Sequence, residues 1–242
     1  MRQKIRKTLA LIALLIFPIT LNYFSPYVSI DGAMVGIISG SVIVFIVQFL
    51  SGIILGRAWC GWLCPMAGLS EITLQINSKN VNIKNLRRVR LSIFTVWVSI
   101  LILGFILAGG IKGIDPFHLT ENILSVDAPM KYIVYYSVLF IFTVLSLTIG
   151  KRGGCQSICW MSPFLAAGYH VGKALKIPQL RIYAQKDQCI NCGICDKKCP
   201  MSLPVKTLLK TGKISTSDCI LCGECVDHCP KNVLSYQFTV IK

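Results

Sequence analysis

The 242-residue chain is 54% hydrophobic and only 14% charged, with a mean hydropathy of +0.64. That is too apolar for a soluble protein, and most of the apolar mass lies before residue 172, in runs long enough to cross a bilayer. The formal charge of +15 does not point to nucleic acid, because the basic runs flank apolar spans and no aromatic-interleaved basic surface accompanies them.

Arg2, Lys4, Arg6 and Lys7 precede the apolar run Thr8 to Phe24. A signal peptide has this shape, but no small-x-small cleavage site closes the run. The sequence therefore predicts a retained first transmembrane helix over 8–24, kinked at Pro18. A loop without Lys or Arg leads to a second span over 32–56, where Gln48 is the one strongly polar interior residue. Lys79, Lys84, Arg87, Arg88 and Arg90 then form a basic stretch before a third span over 91–111. The loop 112–131 carries Asp115, Glu121 and Asp127, and a fourth span over 132–150 ends at Lys151 and Arg152. The positive-inside rule makes this a multi-pass protein of the cell membrane with both termini cytoplasmic. The segment Met161 to Pro178 suits a helix lying at the interface or a plain connector. Pro178 separates a membrane domain, 1–178, from a cytoplasmic domain, 179–242.

Twelve cysteines fall in two groups. Eight form two C-x2-C-x2-C-x3-C-P runs, Cys189-Cys192-Cys195-Cys199-Pro200 and Cys219-Cys222-Cys225-Cys229-Pro230. Three thiolates two residues apart wrap one cubane, and the fourth reaches the other. Cys189, Cys192, Cys195 and Cys229 are thus expected to hold one [4Fe–4S] cluster, and Cys219, Cys222, Cys225 and Cys199 a second. Gly193 and Gly223 lie where the backbone approaches each cluster closely. Such thiolates need a reducing compartment during assembly, which agrees with a cytoplasmic tail. From Ala184 to Phe238 the chain resembles an 8Fe bacterial ferredoxin. Val233 to Ile241 reads as an edge strand or a disordered end.

The other four cysteines form two C-x3-C motifs, Cys60-x3-Cys64-Pro65 and Cys155-x3-Cys159, each after a span and a basic residue. Both are expected at the cytoplasmic face, and on a helix this spacing puts two sulfurs on one side. The membrane part then reads as a tandem repeat of helix pairs, in which four thiols meet. Such a set suits a third iron–sulfur cluster, another soft metal such as Cu(I) or Zn, or redox-active thiols. Inert packing between helices is the plainer alternative.

Taken together, Trp59-Cys60-Gly61-Trp62-Leu63-Cys64-Pro65, the second C-x3-C motif and the ferredoxin-like tail resemble the NapH/NosR-type polytopic membrane ferredoxins. Trp160 stands where that family has proline after its second motif. The fold class expected is a membrane α-helical bundle of four transmembrane helices plus a small α+β 2[4Fe–4S] ferredoxin domain. The resemblance implies electron transfer between quinols and respiratory reductases, or metalloenzyme maturation. Two functions follow as expectations. One is an electron-transfer component of an oxidoreductase, akin to a quinol dehydrogenase, linking a cytoplasmic carrier to a membrane quinone or partner reductase. The other is a maturation factor that reduces or loads a metal such as copper at Cys60, Cys64, Cys155 and Cys159. His118 is a candidate contact to a quinone or a partner, or a plain surface histidine. His118 and His170 are expected on opposite membrane faces. His228 is expected to tune a cluster through hydrogen bonding. Trp59, Trp62 and Trp160 read as interface anchors. Lys197, Lys198 and Lys231 are candidates for steering an acidic redox partner. No nucleotide-binding fingerprint is present.

Overall fold

The computed structural model describes residues 1–120, 124–126, 129–209 and 212–240. Glu121 and Asp127 of the acidic loop, and Ile241 at the end of the last predicted strand, lie outside them.

The first apolar run is not one helix. Helix α1 (Arg2–Leu15) starts among the basic residues, and α2 (Phe17–Thr20) begins a new helix. Pro18 opens that second helix instead of kinking a continuous one, since its fixed φ and missing N–H suit a first turn. A 3-10 turn (Asn22–Phe24) leads to α3 (Pro26–Val35). Ser25 caps α3 by accepting the Val28 N–H, and Gly36, at φ 81°, closes it. That left-handed stop divides the second predicted span. Strand β1 (Ile37–Ser39) follows it, and only α4 (Gly40–Leu55) continues as a long apolar helix. Two short helices come next, α5 (Ala58–Trp62) and α6 (Pro65–Ile76).

Helix α7 (Ile83–Leu107) starts well before the predicted 91, because Asn82 caps it by accepting the Lys84 and Asn85 N–H groups. Strand β2 (Gly113–Asp115) pairs in parallel with β1, and α8 (Pro129–Ile149) follows. Among the described residues, α7 and α8 are the helices long and apolar enough to cross a membrane.

After α8 come α9 (Gly153–Ser157) and α10 (Ser162–Ala174). The segment expected to lie at an interface or merely connect instead packs along α4. Small residues allow this: a Cβ on Gly168 would overlap the Phe49 carbonyl, so the two backbones approach as small-residue helix pairs do. Phe45 of α4 stacks on Phe164 of α10 at 5.1 Å, and Trp97 of α7 meets both edge-on. Helix α6 packs in the same way on α1, where Gly68 faces the Ala10 carbonyl, and also touches α8.

The tail carries its own core of Ile182, Met201, Val205, Ile220, Val226 and Leu234. Strand β3 (Gln179–Ala184) pairs antiparallel with β4 (Leu234–Thr239), from Gln179↔Thr239 to Ala184↔Leu234. Short helices α11 (Ile194–Lys198), α12 (Val205–Leu208) and α13 (Glu224–Asp227) lie between them.

Candidate cysteine sites

Cys189, Cys192, Cys195 and Cys229 line one cavity. Cys199, Cys219, Cys222 and Cys225 line another. Each cavity thus takes three cysteines from one run and the fourth from the other. The loops reach this arrangement through Gly193 and Gly223, at φ 73° and 77°. Each glycine turns the chain into a one-turn helix that holds the third cysteine and carries the fourth away. The cavities differ in exposure: Cys192 is exposed, whereas Cys199, Cys222 and Cys225 are buried.

No disulfide joins any two of the twelve cysteines. Burial pushes Cys195 and Cys199 up to about 11 and Cys219 up to about 12. Thiols so placed stay protonated unless a metal displaces the proton. Four sulfurs on one zinc, at about 2.3 Å each, would sit about 3.8 Å apart. Here they surround a cavity, and among the described residues no three Cys, His, Asp or Glu side chains converge on a single-ion site. A soft, four-thiol cradle with room at its centre fits a polynuclear iron–sulfur cluster.

The C-x3-C motifs do not lie on single helices, as their spacing suggested. Cys60 is in α5 and Cys64 caps α6, with the helix broken at Leu63. Cys155 is in α9 and Cys159 follows the break at Ile158. The four thiols nevertheless come together. Cys64 and Cys159 are buried in one apolar cluster against which Cys155 packs, Cys60 lies within electrostatic range of Cys64, and Ser70 Oγ lies 3.5 Å from Cys155 Sγ.

Each motif runs from the basic end into the bundle, and α6 or α10 brings the chain back. Gln48 Nε2 donates to Met161 Sδ at 3.6 Å. Gln48 lies seven residues before the end of α4, so the Met161 sulfur sits about 10 Å along α4 from that end.

The ferredoxin-like tail is seated on this site. Trp62 Nε1 donates to the Leu221 carbonyl at 3.0 Å, and Gln3 Nε2 to the Cys222 carbonyl at 2.9 Å. A Cβ on Gly61 would overlap the Ile220 carbonyl. Buried ion pairs surround the seam. Arg6 bridges Glu71 at 2.8 Å and Glu224 at 2.9 Å, and Arg152 meets the same Glu71 at 3.2 Å. Arg90, Arg87 and Arg57 converge on Asp218 at 3.1, 3.2 and 3.5 Å. Sequence reasoning took Arg57 and Arg152 only as charges ending a span, and missed Glu71 and Asp218. One signal was available: each arginine stands three residues before the first cysteine of its motif.

His118 Nε2 lies 2.8 Å from Asp31 Oδ2, near the β1–β2 end of α4, whereas His170 packs edge-on to Tyr169 near its other end. His228 Nδ1 lies 2.9 Å from the Glu224 carbonyl, within the second cysteine run. Trp62 and Trp160 bind inward and do not simply anchor an interface, whereas the buried Trp59 Nε1 has no hydrogen-bond partner among the described residues. Trp62 holds the tail, and Trp160 Nε1 donates to the Phe24 carbonyl at 2.8 Å. Lys197, Lys198 and Lys231 are exposed.

Residues 188–234 match a 4Fe-4S dicluster domain, and residues 37–84, which include Cys60 and Cys64, match a 4Fe-4S binding domain. The chain is a ferredoxin-type iron–sulfur protein. Among curated relatives, it is 24% identical over 203 residues to the putative electron transport protein YccM of Escherichia coli, covering 76% of this chain and 52% of that protein. It is 29% identical over 166 residues to the methylamine utilization ferredoxin-type protein MauN of Methylobacillus flagellatus, covering 66% and 53%. The uncharacterized protein MJ0750 of Methanocaldococcus jannaschii is 24% identical over 217 residues, covering 86% and 82%. The chain therefore spans about half the length of the first two. No solved structure matches it.

Proposed function

We propose that this chain is a membrane-bound electron-transfer protein working between a cytoplasmic carrier and a membrane quinone or partner reductase. The observation that carries this reading is the seating of the 219–222 loop on α5, which sets the three cysteine groups side by side. Cys189, Cys192, Cys195 and Cys229 would hold one cluster, Cys199, Cys219, Cys222 and Cys225 a second, and Cys60, Cys64, Cys155 and Cys159 a third. A [4Fe–4S] cluster, when bound, takes up and releases one electron at a potential set by charge, hydrogen bonding and burial. The residues of the chain supply those settings. They exclude water around Cys222, Cys225, Cys64 and Cys159, leave Cys192 open to a soluble partner, and fix the seam through Trp62, Gln3 and Arg6. Exposed Lys197, Lys198 and Lys231 favour an acidic partner at the open end.

The membrane reading rests on α7 and α8 and on the broad exposed apolar faces of α1, α4, α7 and α8. In this reading α1 to α3 form one broken crossing and α4 another, giving four crossings with both termini in the cytoplasm. Arg6, Arg90 and Lys151 all contact the tail, so the basic residues share its end, as the positive-inside rule requires. The C-x3-C motifs then reach into the membrane from the cytoplasmic face.

The test is anaerobic purification in detergent with iron and acid-labile sulfide counted per chain. About twelve irons are expected, falling to about eight in a Cys60→Ser/Cys155→Ser variant. About eight in both overturns the third site. Copper bound there in place of iron would support the maturation role instead.

A further inference from the structure

Each C-x3-C motif brings its own arginine into the seam between the four-cysteine site and the tail. Arg57 is 2% exposed and Arg152 1%. Arg152 Nη1 donates to the Cys60 carbonyl at 3.0 Å. Arg57 Nη1 approaches Asp218 at 3.5 Å without forming a hydrogen bond. Among the described residues, Arg57 Nε and Nη1 and Arg152 Nε are buried and donate to no acceptor. Buried, unanswered N–H donors are costly, and an arginine cannot shed its charge to escape that cost.

Both guanidiniums also serve two sites. Arg57 lies beside Cys60 on one side and beside Asp218, the residue before Cys219, on the other. Arg152 holds the Cys60 carbonyl on one side and on the other shares Glu71 with Arg6, which reaches Glu224 in the Cys222 loop. The surrounding carboxylates do not balance this charge. Arg6, Arg57, Arg90 and Arg152 are all buried here, against Asp218, Glu71 and Glu224. Four buried cations facing three carboxylates leave the seam net positive.

We propose that Arg57 and Arg152 are a matched pair of positioning residues that set the reduction potentials of the four-cysteine centre and of the adjacent ferredoxin centre together, with their free N–H groups donating to anionic sulfur. This rests on the reading that iron–sulfur centres occupy Cys60/Cys64/Cys155/Cys159 and Cys199/Cys219/Cys222/Cys225. Each one-electron reduction adds one negative charge to a centre. A fixed cation beside it, in a site closed to water, favours the reduced form. Because each arginine lies between the two centres, it favours reduction on either side of the seam.

The experiment compares the full-length wild-type protein with Arg57→Gln, Arg57→Lys, Arg152→Gln and Arg87→Gln. All are purified anaerobically, counted for iron, and titrated with redox mediators while EPR is recorded. In Arg57→Gln both midpoints should fall, with the ratio of reduced to oxidised centre at a fixed potential dropping about tenfold, which is about 59 mV for one electron. Arg152→Gln should do the same, and it carries the test if Arg57→Gln does not accumulate. Arg57→Lys keeps the charge and should restore most of the shift. Arg87→Gln, exposed but paired with the same Asp218, should leave both midpoints in place. Full iron content with unmoved midpoints, or a shift at one centre alone, overturns the role of the arginines. A wild-type count of about eight irons overturns the underlying reading instead, whatever the variants do.

Discussion

Asp218→Asn tests how the tail is held to the bundle. The substitution keeps the shape of the side chain and removes its charge. Asp218 is buried, as are Arg57 and Arg90, which approach it at 3.5 and 3.1 Å. Losing the carboxylate strands two buried guanidiniums, and breaking a buried pair costs about 3–5 kcal/mol. The third partner adds little. The Arg87 side chain is 45% exposed, and an exposed pair contributes about 0–1 kcal/mol. For a chain of this size each kcal/mol moves Tm by about 2–4 °C, so Asp218→Asn should lower it by about 6–20 °C. The assay is thermal unfolding in detergent, followed by tryptophan fluorescence, on protein whose iron content matches the wild type. Arg87→Gln should lower Tm by no more than about 4 °C. An Asp218→Asn protein that melts with the wild type, or no earlier than Arg87→Gln, would refute the reasoning.

Gly61→Val should force α5 away from the Ile220 carbonyl, at about 1–3 kcal/mol. Amide hydrogen exchange in 219–222 should rise, and unchanged protection there would count against the seam. Glu71 gives a pH dependence. Burial alone would raise its carboxyl, but the Arg6 hydrogen bond and the charges of Arg152, Arg6 and Lys7 hold it below its ordinary 4.5. Its contribution to stability is therefore present above pH 4.5 and is lost as pH falls through the lower folded value. Glu71→Gln should flatten the acid limb of a plot of Tm against pH, and an unchanged limb would show that the bridge adds nothing. Cys192→Ser and Cys222→Ser should each remove one ferredoxin EPR signal. A soluble chelator should strip iron first from the exposed Cys192 side, and equal loss rates at both cavities would contradict the difference in burial.

Much of this protein is legible along the chain. The two four-cysteine runs, ending in Cys199-Pro200 and Cys229-Pro230, specify by local spacing which thiols share a cavity. The apolar stretches at α7 and α8 are strong enough to locate two long helices within a few residues at their C-terminal ends. The breaks in the other two predicted spans were harder to read. Gly36 and Pro18 sit inside runs that stay apolar on both sides, and hydropathy does not register a left-handed φ or a fresh helix start. Local sequence also could not place α10. Its partner α4 lies more than a hundred residues earlier, and the fit depends on Gly168 meeting the Phe49 carbonyl. The seam was decided by tertiary structure alone. Arg6, Arg57, Arg90 and Arg152 look in sequence like charges that flank membrane spans. Only the packing of the tail onto α5 removes them from water, brings Asp218, Glu71 and Glu224 to them, and leaves Arg57 Nε and Nη1 and Arg152 Nε without an acceptor among the described residues.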